Sequence, residues 1–452
     1  MFYGIYRLLT RLTFALSFPV FLVYALLTGR HRVGLRQRLG IYGKDNLRRA
    51  SGPTVWLHGA SVGEIKAAEL LVFRLAREFP ESNLVVTAVT EQGLKLARQN
   101  MGDKAKCLMA PLDLPGAANR AIRAIKPDVY LCLETELWPN TLASLYKNGV
   151  ACFLLNARLS EKSFRRYRRL GGFIRMVLGG FSGIAAITTT DAERLIALGA
   201  APEKVTISGN IKYDLPPIPN PEHTRRDWQQ ILGLTDATPV LVAGSTHSGE
   251  ELLLLEAFKS LKEDLPGMVL VLAPRHLDRL EKAQAELSAA GAAYDLLSQI
   301  KKNGRSQDLV VVDSMGDLTS LYSVATFSFC GGSLVERGGH NIMEAARWGR
   351  PVFYGPSMKD FTDAKDLLEA AGGGFEVSSP DELCKKIRSL TGDPEHYKRA
   401  ASGAATSAYG QNGAVDRQLQ PVFATLQQLI KAKESSAGTK TGIAKDKQET
   451  DS

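Results

Sequence analysis

From residue 54 onward the chain alternates short apolar runs with stretches whose apolar residues recur every three or four positions. In the first half the runs are TVWLH (54–58), NLVVTAV (83–89), VYLCLE (129–134), ACFLLN (151–156), GIAAIT (183–188) and KVTIS (204–208). Their length and β-branched content predict strands buried on both faces. Helical patterns lie between them, such as IKAAELLVFRLAREF after Glu64 and DAERLIALGA from 191, where Asp191 is expected to be the N-cap. Strand and helix in alternation predict a parallel, doubly wound sheet. YDLPPIPNPEH (213–223) then carries four prolines in eleven residues, so it is read as a linker. The alternation restarts with PVLVAGS, MVLVLAP, DLVVVDS, TFSFCGG, RPVFYG and FEVSS. The expected fold class is therefore α/β, with two parallel-sheet domains and a ligand cleft between them.

The ends of the chain read differently. LTFALSFPVFLVYALLTG (12–29) has no charge and is at the short end for a spanning helix, with Pro19 a possible kink. No small-x-small cleavage site follows it, and Arg30, Arg32, Arg36 and Arg38 come directly after it. That pattern favours a membrane anchor or a helix lying in one leaflet, with the arginines against anionic lipid on the cytoplasmic side. The expected division is an anchor helix at 1–30, a first domain at 31–212, the linker at 213–223 and a second domain with a closing helix at 224–431. A polar tail without regular structure is expected at 432–452.

The 452 residues are too many for one core, which fits two domains. The net charge is +9, but residues 1–50 hold nine Lys and Arg against Asp45 alone and so account for nearly all of it. A basic N-terminus argues against a nucleic-acid groove spread over the fold. The five cysteines are far apart with no CxxC pair, and are read as buried thiols rather than disulfides or zinc ligands.

Polar residues of unusual type fall where the predicted strands end, the place where open parallel sheets bind ligands. In the first half they are Glu64 in HGASVGE, Glu134 and Glu136 in ETELWPN, Asn156 and Arg158 in LLNARLS, and Lys212 in GNIKYD. In the second half they are Ser245, Thr246 and His247, then Pro274, Arg275 and His276, Met315-Gly316-Asp317, and GGSLVERGGHNIMEAA (331–346) with Ser333 and Asn341 to Glu344. Each has a plain alternative: Thr246, Glu250 and Asp317 suit helix caps. No G-x-G-x-x-G, P-loop or D-x-D motif is present, so no dinucleotide fingerprint and no metal site is expected. A phosphorylated substrate would then be neutralised by Lys212, Arg275 and the N–H groups of the Gly-rich loop 331–341. The stretch ARLSEKSFRRYRRLGG adds Arg158, Lys162, Arg165, Arg166, Arg168 and Arg169 against Glu161, either a solvated face or a phosphate- or bilayer-facing patch.

These motifs, taken in order with the Pro-rich hinge, resemble the bacterial 3-deoxy-D-manno-octulosonic acid (Kdo) transferases from the N-terminal segment to about residue 415. The resemblance implies a GT-B glycosyltransferase: two Rossmann-like domains facing a cleft, with an N-terminal membrane-associated helix. It implies CMP-Kdo as donor, the lipid A precursor lipid IVA as acceptor, inversion at the anomeric centre, no cofactor and no active-site metal. The location implied is the cytoplasmic face of the inner membrane. By position, Glu64 matches the general base, and Glu134 and Lys212 the groups that stabilise the transition state. Pro274, Arg275, Met315, Gly316, Asp317, Asn341, Ile342, Met343 and Glu344 match the CMP-binding segments. Glu136, Ser245, Ser333, Arg158, Arg165 and Arg166 are weaker candidates. Other readings are a GT-B enzyme using a UDP- or GDP-sugar, and a membrane-anchored scaffold that keeps the fold without the activity.

Overall fold

The computed structural model describes residues 2–28, 34–43, 52–215 and 218–446, with the backbone alone for residues 2, 20–28 and 435–446. The chain divides into two units, residues 1–214 with 413–452, and residues 215–412.

The first unit holds a seven-stranded sheet of β1 (Thr54–Gly59), β2 (Asn83–Ala88), β3 (Lys106–Met109), β4 (Val129–Leu133), β5 (Ala151–Ala157), β6 (Gly183–Ala186) and β7 (Val205–Ile207). The order is β3-β2-β1-β4-β5-β6-β7, and every pair is parallel. The strand order runs from β1 towards one edge and from β4 towards the other, so the sheet has its switch point between their carboxyl ends. β1 and β4 are buried at every position, which is why they read as unbroken apolar runs rather than alternating ones. The helix Val62–Glu78 follows β1, capped by the Ser61 hydroxyl accepting from Glu64 N, and buries Ile65, Ala68, Leu71, Val72 and Leu75 on one face.

The second unit repeats the plan with β8 (Val240–Thr246), β9 (Val269–Pro274), β10 (Asp295–Leu296), β11 (Leu309–Val311), β12 (Phe327–Cys330), β13 (Val352–Tyr354) and β14 (Gly374–Glu376). Its order is β10-β11-β9-β8-β12-β13-β14, again all parallel, with the switch point between β8 and β12. The expected strands are present in both units. β3 and β10 were not foreseen: each is a short edge strand, and KCLM and DL are too brief to carry a periodic signal.

Several expectations are corrected. Asp191 is not the N-cap of its helix. Thr188 caps Thr189–Ala197, and the buried Asp191 accepts from the Thr188 hydroxyl (2.7 Å) and from Leu159 N (2.8 Å). Of the linker 213–223, residues 216–217 lie outside the described residues; Tyr213 closes a 3₁₀ turn (Ile211–Tyr213) and Pro221 opens the helix Pro221–Leu232. The closing helix belongs to the first unit rather than the second. It runs from Ala414 to Asp446, and Ala414, Leu419, Val422 and Leu426 are buried in the same core as Leu71 and Leu75. The helix also occupies residues 432–446, where a tail without regular structure was expected. Residues 447–452 lie outside the described residues.

The N-terminal helix, Phe2–Thr28, is continuous through Pro19 and is tied to the first unit. Tyr6 OH donates to Asp113 Oδ2 (3.0 Å), Asn140 Nδ2 donates to Thr10 Oγ1 (3.2 Å), and Tyr3 and Tyr6 pack on Phe173. Ile5, Leu8, Leu9, Leu12 and Leu16 are exposed, Leu16 at 78 %. Among the described residues no helix is long and apolar enough to cross a membrane; the apolar run 12–29 is covered by them only in part. Arg30 and Arg32 lie outside them. Arg38 faces the protein rather than a surface, donating to Val89 O at 2.9 Å. All five cysteines are buried free thiols.

If the C-terminal helix is part of the first core, Leu426→Ala lowers stability by about 2–5 kcal/mol. Glu434→Ala, on the exposed extension, shifts it by under about 0.5 kcal/mol. Urea unfolding followed by circular dichroism compares the two, and equal midpoints would rule out that placement.

Candidate active site

In the first unit, three sequence candidates meet at the switch point. Glu64 lies in the first turn of its helix, just beyond β1, and is 6 % exposed. Its carboxylate accepts from Ala60 N (2.7 Å) and from the Ser61 hydroxyl (2.9 Å). Glu134 follows β4 with φ of +54°, a left-handed conformation that turns the chain sharply at the strand end. Lys212, in the turn after β7, donates its ammonium to Glu134 Oε1. A methyl group on Gly63 would stand 3.8 Å from Lys212 Nζ, which sets the ammonium beside the first turn of the Glu64 helix.

Two effects compete at Glu64. A helix N-terminus favours the ionised carboxylate, whereas burial favours the neutral acid. Burial prevails and pushes the pKa up to about 7, helped by the charges of Glu134 and Glu136 and opposed by the bonds from Ala60 N and Ser61. A carboxyl poised at neutrality is suited to take a proton from a hydroxyl group.

Glu136 is held apart in a different task. Its Oε2 accepts from Trp138 Nε1 (2.8 Å), and Trp138 packs edge-on against the buried His58 ring with centroids 4.8 Å apart. Arg158 lies just past β5. Arg165 and Arg166 are on the short exposed helix Glu161–Arg168, with Arg165 paired to Glu161 (2.8 Å) and Arg166 over the Tyr167 ring.

In the second unit the candidates line the carboxyl ends of β8, β9, β11 and β12. Arg275 directly follows Pro274, the last residue of β9, is exposed, and is fixed through its N–H to Thr246 O (3.0 Å). His247 and His340 stack with their Nε2 atoms 2.9 Å apart, so one ring donates and the other accepts. Burial lowers both, His340 to about 4, and Arg275 and His276 lower His340 further. The pair is therefore neutral at pH 7, and the positive charge around it comes from Arg275, Arg279 and Arg337. Glu344, buried enough for its pKa to be raised, lies within the field of Arg275 and accepts from the Thr319 hydroxyl (3.5 Å). Asp317 accepts from Lys301 (2.8 Å) and from Ser314. Met315 is 72 % exposed, and Gly316 has φ of +92°. Ser245 also has positive φ, +57°, at the end of β8.

Part of the expected phosphate cradle is already filled. Glu250, fully buried, accepts from Gly332 N (2.6 Å), Ser333 N (3.0 Å), Leu334 N (2.9 Å) and His247 N (2.9 Å). The start of loop 331–341 thus spends its N–H groups on an internal carboxylate and cannot offer them to a phosphate. Ser333 is core as well: its hydroxyl donates to Cys330 O and accepts from Gly355 N (2.8 Å). Ile342 and Met343 have fully buried side chains, so they can meet a ligand only through backbone. Glu250 was read as a cap, and only its four backbone donors show that it shapes the loop. Among the described residues no group of three His, Cys, Asp or Glu is placed to hold a metal ion.

Known proteins resemble this chain over most of its length. A family model described as 3-deoxy-D-manno-octulosonic-acid transferase (kdotransferase) matches residues 33–215. A 3-deoxy-D-manno-octulosonic acid transferase of Haemophilus influenzae is 32 % identical over 86 % of this chain and 91 % of its own length. One from Chlamydophila psittaci is 30 % identical over 89 % and 92 % respectively. Among solved structures, UDP-GlcNAc 2-epimerase from Neisseria meningitidis bound to UDP-GlcNAc superposes with a TM-score of 0.51 at 14 % identity, covering 82 % of this chain and all of that one. At that identity the likeness speaks for the two-domain GT-B-type fold alone. The chain belongs to the 3-deoxy-D-manno-octulosonic acid transferase family and is a glycosyltransferase that transfers Kdo in lipopolysaccharide synthesis.

Proposed function

We propose that the enzyme moves Kdo from CMP-Kdo to lipid IVA with inversion, with Glu64 as general base. The observation that carries this reading is the buried Glu64 carboxyl, poised near neutral pH beside the Glu134–Lys212 pair. Glu64 takes the proton of the attacking acceptor hydroxyl as its oxygen bonds to the anomeric carbon of Kdo. The bond from that carbon to the CMP phosphate oxygen breaks on the opposite face, and CMP departs with the electron pair. Lys212, oriented by Glu134, opposes the negative charge of the Kdo carboxylate or the leaving group. The second unit holds the nucleotide: Arg275 supplies positive charge, and Glu344 and the 315–317 turn address ribose and base.

The acceptor side follows from the first unit's surface. The exposed apolar side chains of the N-terminal helix suit a bilayer surface, and helix Glu161–Arg168 suits the phosphates of a bisphosphorylated glycolipid. Both fit an enzyme working at the cytoplasmic leaflet of the inner membrane.

Transfer from CMP-Kdo generated in situ onto lipid IVA, with products resolved by mass, tests the base. Glu64→Gln keeps the shape and is expected to lower kcat about 100- to 10,000-fold; wild-type activity in that variant would return Glu64 to a capping role. The pH profile adds a second check. Only the ionised carboxylate accepts a proton, so kcat should rise with pH and level off above about 7. A profile flat from pH 5 to 8 would contradict a base of that pKa. Replacing Arg165, Arg166 and Arg168 by Gln should raise the acceptor KM about 10-fold with donor KM unchanged. A fall in kcat at saturating acceptor would overturn the patch.

A further inference from the structure

The turn that carries Lys212 is held by a helix two hundred residues further along the chain. We infer that Gln418, on the C-terminal helix, is a positioning residue that sets the place of Lys212 through the backbone of residues 208–212. The inference rests on the reading of Lys212 as the counter-charge of the transfer step.

One end of the Gln418 amide holds this turn directly and the other holds it through Asn156 at the end of β5. Its Oε1 accepts from Asn156 N (2.7 Å) and its Nε2 donates to Gly209 O (2.8 Å), with the side chain fully buried. Asn156 passes the restraint on: it stands at φ +52°, which Asn tolerates better than most residues, and its Oδ1 accepts from Ile211 N (3.0 Å). Arg417 Nε donates to Ser208 O (3.1 Å), and Asn210 Oδ1 accepts from Lys212 N (2.9 Å). On the far side of Lys212, Asp214 accepts from Gly413 N and Val415 N, both at 2.7 Å, and so caps the start of the same helix. Ile211 and Tyr213 are buried, leaving Lys212 as the side chain of this turn that reaches Glu134.

The two bonds satisfy buried backbone groups at Asn156 and Gly209, and that alone stabilises the fold. What directional bonds add is a fixed backbone position and angle, and a charge that must meet a transition state gains from being held before the reaction starts. The helix therefore acts on catalysis without touching substrate.

The test uses the full-length enzyme with CMP-Kdo generated in situ and lipid IVA. It compares wild type, Gln418→Met, Lys212→Met and the double variant, with folding checked by circular dichroism and thermal melting. Gln418→Met keeps length and loses both hydrogen bonds. It is expected to lower kcat about 10- to 100-fold while both KM values stay within about twofold. In the Lys212→Met background it should add nearly nothing, because its effect passes through Lys212. If Gln418→Met melts early, kcat is measured at a temperature at which circular dichroism shows the variant folded, and the same kcat loss is expected there. A lowered melting temperature with kcat intact would make Gln418 purely structural and overturn the inference. So would equal losses in the wild-type and Lys212→Met backgrounds. Wild-type kcat in Lys212→Met would instead remove the reading of Lys212, and that single variant reports it separately.

Discussion

The first unit is organised around one conflict: a carboxylate taken out of water at the end of β1, beside a largely apolar sheet core. Burial raises the affinity of Glu64 for a proton, and the helix N-terminus with Ala60 N–H and the Ser61 hydroxyl lowers it again. The balance near neutrality depends on the switch point of the sheet, since only there do β1 and β4 leave room for Glu64, Glu134 and Lys212 to approach one another. Placed one strand over, the same residues would not meet.

The second unit resolves a similar conflict differently. Glu250 is as buried as any core leucine, yet four backbone N–H groups are aimed at it. The carboxylate is thereby built into the fold as an internal anion that shapes the loop after β12. Under the proposed reading, the donor phosphate is met by Arg275 and the neighbouring imidazoles rather than by the start of the Gly-rich loop. The stacked, neutral His247 and His340 keep a polar surface beside Arg275 without adding to its charge.

Two features tie distant parts of the chain into the first unit. The N-terminal helix is fastened by Asp113, whose carboxylate also accepts from Asn140 N, Thr141 N and the Thr141 hydroxyl. The C-terminal helix returns to fill the core behind the Glu64 helix with Leu419, Val422 and Leu426 and to grip residues 208–212 through Gln418. Both ends of the chain thus serve the unit that carries the proposed base.

Most of the architecture was legible because buried parallel strands are written as continuous apolar runs; six runs fall in each half, although the edge strands β7 and β14 are not buried. Glu64, Glu134 and Lys212 stood out as candidates because a charge at the mouth of a buried strand has few structural uses, and the structure brings them together. β3 and β10 escaped notice because edge strands of two to four residues carry no period. The C-terminal helix was assigned to the wrong unit because amphipathicity says that a helix has a partner and not which one. Gln418 and Glu250 looked like ordinary polar helix residues. Their roles arise from hydrogen bonds to backbone far away in sequence, and such bonds leave no pattern in the chain that makes them. Sequence alone determined the type and order of the elements and the chemistry available at the strand ends. Only the tertiary structure decided which carboxylates were buried, which were already paired and which backbone they held, because desolvation and hydrogen bonding depend on neighbours that local sequence does not name.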